Sequence, residues 1–187
     1  MADTFSDLIA RGADPKTIEA HLDALDPATR VVEVRATSGT LQEKVWRLVK
    51  GHAPARMEVF CGETDQTVIY SGKNSLPAFT IFEKRFWRRR DGRGIEGYNH
   101  QKMAAFTGPG YFTARDGDDG EIVFDYTQIP DLRPDGWPPI APNTGLIGSV
   151  VYGNMIDYNR RISKTTYIGR AVKHGKPMNS YFLLTRS

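Results

Sequence analysis

The sequence predicts an α+β protein in which short N-terminal helices pack on a curled antiparallel β-meander that is closed, or nearly closed, into a barrel. Helix-start signals are concentrated in the first fifty residues, and aromatic-rich strand patterns separated by turn sequences occupy the rest of the chain. One central strand also carries apolar side chains on both of its faces. A strand covered on both faces is typical of a closed or strongly curled sheet.

Residues 1–52 form the predicted helical segment. Asp14-Pro15 and Asp26-Pro27 each place a capping carboxylate before a proline at the first helical position. A further helix is expected over residues 40–50, and Gly51 is expected to end it. The valine-rich stretch after the second proline also fits a short strand, but its Asp-Pro start favours a helix. We therefore expect three or four short helices.

Residues 53–187 form the predicted barrel-like body of the same single domain. Its strand patterns are bounded by turn sequences such as Asp116-Gly117-Asp118-Asp119-Gly120. Seven or so strands joined by short turns predict an antiparallel meander. The predicted strands cover residues 68–70, 77–88, 95 onward, 110–115, 121–127, 154–162, 165–172 and 179–185.

The clearest pattern in the chain is a hairpin, with a strand over residues 77–88, a turn at 90–93 that contains Asp-Gly, and a second strand from Ile95. Alternation gives the first strand one set of side chains for each face. We expect the basic heads of Lys84 and Arg88 to reach water past apolar neighbours. An amphipathic helix is the alternative, which the leading proline and the aromatic density disfavour. One set is Phe79, Ile81, Glu83, Arg85 and Trp87, and the other is Thr80, Phe82, Lys84, Phe86 and Arg88.

Residues 129–148 contain five prolines around Trp137 and fit neither a strand nor a helix. Long irregular connections in compact domains are commonly functional loops, and a tryptophan favours an ordered one. We expect a lid that closes one end of the sheet, with Trp137 against the aromatic side chains of the central hairpin. Gly136, Gly145 and Gly148 are the candidate hinge residues. A static plug in the same place is the alternative.

Composition and charge place the chain among ordinary globular proteins. The net charge is +3, from 25 basic and 22 acidic residues, and apolar residues make up 40% of the chain. No run approaches the length of a membrane span, and the first residues lack the basic and apolar regions of a signal peptide. The single Cys61 excludes an internal disulfide and fits a reducing compartment. We therefore expect a cytoplasmic protein without a membrane span.

The sequence carries no motif for a metal or a cofactor. Its four histidines have no close ligand spacing, so no metal site is expected. A phosphate-binding loop, a G-x-S-x-G nucleophile motif and paired cysteines are all absent. Cys61 is expected to be a buried, inert thiol. Neither a cofactor nor an oligomeric state is predicted.

Several polar residues alternate with aromatic residues in the predicted strands. If the sheet closes, one such set points into its interior, where charged groups must be paired or used. One interpretation is mutual pairing, for instance of Glu83 with Arg85 or of Asp125 with Arg161. The other is a pocket with a few convergent polar groups that binds a small hydrophobic or aromatic molecule. The expected ligand-binding residues are Phe79, Glu83, Arg85, Trp87, Tyr98, His100, Tyr126, Trp137 and Arg161.

Two other functions are compatible with the pattern. A small-molecule enzyme of the acid/base lyase or isomerase type would use His100 or Asp125 as its general acid or base. A module that binds nucleic acid or an acidic protein would use the basic hairpin at residues 84–93, with Trp87 as a stacking platform. Arginines beside an Asp-Gly turn are more often a solvated hairpin tip, so nucleic acid is the less favoured partner.

The order of the elements supports a resemblance to a known architecture. Helices precede a meander that ends with Asn154-Met155-Ile156-Asp157 and Tyr181-Phe182-Leu183-Leu184-Thr185-Arg186, which resembles the bacterial lipocalin-like, or calycin-type, β-barrel proteins over roughly the last two thirds of the chain. The resemblance implies apolar ligands or haem inside the barrel. The Gly-x-Trp-x-Gly signature that is frequent near the first strand of those proteins is absent here, so the resemblance extends to architecture and to no functional residue.

Overall fold

The computed structural model describes residues 3–77, 80–92, 94–101, 108–143 and 151–187. Two of its helices begin at the predicted Asp-Pro signals. Asp14 and Asp26 each accept hydrogen bonds from two backbone N–H groups of the first turn, at 3.0 to 3.1 Å. The helices are α1 (Phe5–Arg11), α2 (Pro15–Ala24), α3 (Pro27–Ala36), α4 (Gly39–Leu48) and the single turn α5 (Met57–Phe60).

The strands form a closed antiparallel barrel in which each strand pairs with the next and the last pairs with the first. Closure satisfies the backbone hydrogen bonds that an open sheet would expose at its two edges. The predicted α+β class and the closed meander are therefore confirmed. The strands are β1 (Thr67–Asn74), β2 (Ile81–Arg88), β3 (Ile95–His100), β4 (Tyr111–Asp116), β5 (Ile122–Asp125), β6 (Met155–Arg161), β7 (Thr166–Lys173) and β8 (Lys176–Arg186).

Helix α5 plugs one end of the barrel. Its Phe60 is fully buried and stacks on Tyr70 with ring centroids 4.2 Å apart. The rings of Phe86 and Tyr167 contact Phe60 edge-on, at centroid distances of 4.7 and 4.8 Å. The sequence places these residues in the barrel-like body and predicts no helix there, because one turn is too short to show helical periodicity. This half of the barrel is packed with aromatic side chains.

Helices α3 and α4 cover the outer wall of the barrel at β7, β8 and β1, and α1 packs against α2, α3 and α4. Their apolar residues form a second core, in which Ile18, Leu22 and Val45 are fully buried together with Ile168 and Leu183 of the wall. Strands β7 and β8 are therefore covered on both faces, by the side chains of the barrel interior and by the helices. Within the described ranges, no helix is both long and apolar enough to cross a bilayer.

Alternation divides each strand between the interior and the outer surface. On β2 the inward side chains are Phe82, Lys84 and Phe86, whereas Ile81 on the other face is 46% exposed. The expectation that Lys84 reaches water is wrong, because its side chain lies inside the closed barrel and is only 3% exposed. Arg88 donates to the carbonyl oxygens of Cys61 and Met57, at 2.7 and 2.8 Å.

Candidate functional site

A cavity of about 320 Å³ occupies the barrel end opposite α5. Phe82, at the start of β2, lines this cavity, and Arg88, at the end of the same strand, contacts α5. The interior is thus divided into a packed half and an open half. A larger groove of about 570 Å³ lies outside the barrel, beside Arg160. That guanidinium is already bound to Glu121 and to the carbonyl oxygen of Trp46, so the interior cavity is the stronger candidate.

Four buried polar side chains form the floor of the cavity, and they come from four different parts of the barrel wall. Lys84 Nζ donates to Asn99 Oδ1 at 2.8 Å and lies 3.4 Å from Asp157 Oδ2. The Tyr126 hydroxyl contacts Lys84 Nζ and lies 3.3 Å from Asp157 Oδ2. Asn99 Nδ2 donates to the Tyr126 hydroxyl at 3.2 Å. We call this group the polar floor.

Aromatic rings surround the ammonium group of the polar floor. The Lys84 Nζ atom lies 5.0 to 5.7 Å from the ring centroids of five side chains. Rings at this distance attract a cation through their negative faces. Together with Asp157 they compensate part of the cost of removing the ammonium from water. The five residues are Phe82, Phe112, Phe124, Tyr126 and Phe182.

Burial shifts the titration of the polar floor toward neutral forms. It lowers the pKa of the Lys84 ammonium and raises the pKa of the Asp157 carboxyl, and the attraction between the two partly opposes each shift. Burial, followed by the nearby Asp157 charge, raises the pKa of Tyr126 well above its ordinary value. The tyrosine is therefore a neutral hydroxyl that can donate or accept a hydrogen bond.

The walls above the polar floor are largely apolar. Tyr152 stacks on Tyr126 with ring centroids 5.3 Å apart, and its hydroxyl accepts a hydrogen bond from Gln101 at 2.8 Å. The cavity thus combines an apolar wall with a few converging polar groups, which is the usual make-up of a small-molecule site. Its apolar lining includes Leu76, Phe82, Val151, Met155, Ala171, Met178 and Phe182.

Of the residues predicted to bind a ligand, Tyr126 lies in this cavity. Trp87, Tyr98 and Trp137 meet on the outer wall of the barrel instead, in a separate aromatic cluster. Arg85 pairs with Tyr98 across β2 and β3, and forms an ion pair with Glu83 at 3.1 Å. Phe79 lies outside the described residues. The structure therefore brings several predicted residues together, but outside the barrel.

The register of β2 decides this placement. A one-residue shift on a strand exchanges its two faces, and the predicted site uses the set that contains Glu83 and Arg85. That set faces outward in the closed barrel, and the set that contains Lys84 faces inward. Arg161 is also remote from the cavity floor, because its guanidinium forms an ion pair with Glu19 of α2 at 3.1 Å.

The described part of the proline-rich loop, residues 129–143, lies against the outer wall. Trp137 is 6% exposed, its ring centroid is 4.7 Å from that of Tyr98, and its Nε1 donates to Thr67 Oγ1 at 3.2 Å. Tyr111 donates its hydroxyl hydrogen to the carbonyl oxygen of Pro138 at 2.6 Å. Trp137 thus contacts the central hairpin through Tyr98, on the outside. The candidate hinges Gly145 and Gly148 lie outside the described residues, and a moving lid stays a prediction.

The two candidate acid/base residues occupy separate positions. His100 ends β3 and is exposed on the same outward face as Tyr98. The carboxylate of Asp125 accepts hydrogen bonds from the backbone N–H and the hydroxyl of Thr127, at 2.9 and 2.6 Å. This Asx turn gives Asp125 a local structural role at the end of β5.

Most of the basic hairpin is bound to internal partners. Arg89 is buried and forms ion pairs with Asp91, Glu96 and Asp131. Arg88 binds the carbonyl oxygens of Cys61 and Met57 at α5. Arg90 is exposed and forms an ion pair with Asp65, and Arg93 lies outside the described residues. In the described part of this hairpin, fewer arginines are therefore available to bind nucleic acid than the sequence indicates.

Sequence reasoning did not select Lys84, Asn99 or Asp157 as site residues. A signal for Lys84 was present, since it lies between Phe82 and Phe86 on one face of its strand. A charged residue between two aromatic residues on one strand face is typical of the protein interior, where the charge needs a buried partner of opposite charge. Within the described residues, no group of three or more His, Cys, Asp or Glu side chains is arranged to hold a metal ion.

Comparisons with known proteins give no closer identification. No protein-family model matches the sequence, and no curated protein matches it. Among solved structures, the chain is similar to a mutant of the vaccine antigen transferrin binding protein B from Actinobacillus pleuropneumoniae H49, at 8% identity and a TM-score of 0.33. The similarity covers 72% of this chain and 65% of that chain, so it spans less than two thirds of that protein. The barrel fold is shown by the pairing of its eight strands.

Proposed function

We propose that the protein binds a small, largely apolar molecule with one polar group in the open half of the barrel. The observation that carries the proposal is the cavity of about 320 Å³ that ends on the buried polar floor. This volume is at the lower end of the range of about 300 to 1,000 Å³ that is common for small-molecule sites. An aromatic or short aliphatic compound would fill it.

The polar floor supports recognition of an uncharged polar group. Lys84 and Asn99 supply donors, Asp157 supplies acceptors, and the Tyr126 hydroxyl supplies either. The Lys84 and Asp157 charges offset each other, so a ligand that brings its own full charge would leave an uncompensated charge in the interior. A hydroxyl, carbonyl or amide group has no such cost. We therefore expect neutral ligands to be preferred over carboxylates and amines of the same shape.

The proposed location of the protein remains the cytoplasm. Its single Cys61 is a free thiol with no exposed surface, and burial raises its pKa to about 11. A buried, protonated thiol is inert and is compatible with a reducing compartment.

A panel of neutral probes tests the proposal. Para-methoxybenzyl alcohol, para-methoxybenzamide and octanol would be titrated into isotope-labelled protein at up to millimolar concentration, and binding would be followed in proton–nitrogen correlation spectra. We expect saturable shifts that are concentrated at Asn99, Tyr126, Asp157 and Ala171. Charged analogues, para-methoxybenzoate and para-methoxybenzylamine, should bind at least about tenfold more weakly, which corresponds to about 1.4 kcal/mol.

Variants that fill the cavity provide the control. Ser180→Phe and Ala171→Phe each place a ring among the lining residues, and either should abolish binding in a folded protein. Val32→Phe adds the same ring on an exposed face of α3, where Val32 is 67% exposed, and should leave binding unchanged. Shifts that persist in both filled variants, or a panel that shows no saturable binding, would contradict the proposed function.

A further inference from the structure

We propose that Lys84 is a reactive amine that captures an aldehyde or a ketone as an imine on the floor of the cavity. The inference rests on the proposed function, because the carbonyl compound must enter the same cavity. It adds a covalent step and a substrate class, the carbonyl compounds, to that function.

The position of Lys84 makes this reaction selective. Of the lysines that the structure describes, Lys84 alone is buried, and its Nζ atom lies at the inner end of a cavity that reaches the surface. Lys173 also lines the cavity, but it is half-buried at the end of β7. A small carbonyl compound that occupies the cavity would therefore have its polar end beside Lys84, while bulky reagents would be restricted to the surface lysines.

The groups around Lys84 supply the proton transfers that imine formation needs. The nucleophile is the neutral amine, and Asp157 Oδ2 lies 3.4 Å from Nζ, where it can accept the ammonium proton. The Tyr126 hydroxyl contacts both groups. Burial lowers the pKa of Lys84, which raises the fraction of neutral amine relative to a surface lysine by about tenfold for each pKa unit.

The reaction is balanced by these residues and one released water molecule. The Lys84 ammonium first gives a proton to the Asp157 carboxylate. The neutral amine then attacks the carbonyl carbon, the C–N bond forms, the carbonyl π electrons move to oxygen, and a proton moves from nitrogen to that oxygen. The resulting carbinolamine oxygen accepts the proton held by Asp157 and leaves as water, while the nitrogen lone pair forms the C=N bond. The product is a cationic imine beside a carboxylate, and no oxidant or reductant is needed.

The surroundings favour this cationic product. The five rings around Nζ attract an iminium as they attract an ammonium, and Asp157 is its counter-ion. The iminium keeps one N–H group, and Asn99 Oδ1, which lies 2.8 Å from Nζ, can accept its hydrogen bond. An unreactive Lys84–Asp157 ion pair would make the same contacts, so the test must distinguish an imine on Lys84 from such a pair.

The test uses para-methoxybenzaldehyde as the carbonyl probe and sodium cyanoborohydride to reduce any imine to a stable secondary amine. We expect one equivalent of probe per chain in intact mass spectra, and peptide mapping should place it on Lys84. The labelling rate should rise with pH through the folded-state pKa of Lys84, below the ordinary value of 10.5, where the neutral amine replaces the ammonium. Asp157, Tyr126, Tyr152 and Lys173 face or line the same space, so the profile would also be recorded for Asp157→Asn and Lys173→Arg.

Matched variants and an unreactive analogue decide between the outcomes. Lys84→Arg keeps the positive charge but forms no stable imine, and Lys84→Met with Asp157→Asn removes both charges. Each should lose the cavity label while its proton–nitrogen correlation spectrum stays that of a folded protein, whereas Lys173→Arg should keep the label. If the wild-type protein binds the alcohol but the aldehyde labels only surface lysines, the imine is overturned and the proposed function stands. If neither compound binds, both are overturned.

Discussion

At the scale of single residues, the polar floor concentrates the cost of burying charge at one point of the fold. Lys84 and Asp157 come from β2 and β6, and their separation of 3.4 Å places a full ion pair inside the barrel. Replacing such a pair by apolar groups often leaves the free energy of unfolding unchanged, whereas removing one partner lowers it strongly. A buried pair is therefore better explained by specificity or function than by stability.

A double-mutant cycle tests this interpretation. Lys84→Met or Asp157→Asn alone should lower the free energy of unfolding by about 3 to 5 kcal/mol, because each leaves the partner without compensation in the interior. The double variant should lose much less than the sum of the two single losses. Urea denaturation at neutral pH, with the slope of the transition compared among the variants, would measure this. Additive losses would mean that the two charges do not interact.

At the scale of elements, the register between neighbouring strands is marked by glycine opposite phenylalanine. Gly72 pairs with Phe82, Gly97 with Phe112, and Gly169 with Phe182. In each pair the ring lies over the glycine, so that a Cβ atom added at Gly72 would lie 2.5 Å from the Phe82 ring. A shift of register would move the ring onto a residue with a side chain, so these pairs stabilise the observed alignment.

Replacing one of these glycines tests its role. Gly72→Ala should destabilise the protein by about 1 to 3 kcal/mol, because the phenylalanine ring must move out of its position. In a Phe82→Leu background the same change should cost less, by at least about 0.5 kcal/mol. Gly94→Ala is the control, since no atom lies within 4 Å of its added Cβ, and thermal unfolding should show little effect. Equal effects at both glycines would indicate a backbone cause instead.

At the scale of the whole molecule, two different parts of the chain cover the outside of the barrel wall. Helices α3 and α4 cover the outside at β7, β8 and β1, and the proline-rich loop covers the outside at β3 and β4 through Trp137. The interior is filled by α5 at one end and open at the other. The outer layers support the wall, and the proposed ligand would occupy the open part of the interior.

The outer position of Trp137 predicts that its environment does not depend on the ligand. In a protein with Trp46→Phe and Trp87→Phe, the remaining tryptophan should show the emission of a buried indole, because Trp137 is 6% exposed. Saturation of the cavity with para-methoxybenzyl alcohol should leave this emission unchanged, while the melting temperature of the same sample rises. A ligand-dependent change in the emission would instead support the moving lid.

Much of the fold was readable from local patterns. The Asp-Pro signals place the starts of α2 and α3 correctly because capping and proline geometry are decided within one helical turn. The strands follow from alternation and from their turns, to within a few residues of the observed bounds. The division of the β2 side chains into two sets, one for each face, is likewise a local property of the sequence. What these patterns leave undetermined is which set points inward.

The sequence by itself therefore determined the class of the fold, the order of its elements and the two faces of its central strand, since each depends on residues close together in the chain. Only the tertiary structure decided that the Lys84 face is the interior and that Asn99, Tyr126 and Asp157 meet it there. The partners Lys84 and Asp157 are 73 positions apart, and no local periodicity reports such a distance. Closure of the barrel brings them together, because pairing of β8 with β1 gives every strand an inside and an outside at once.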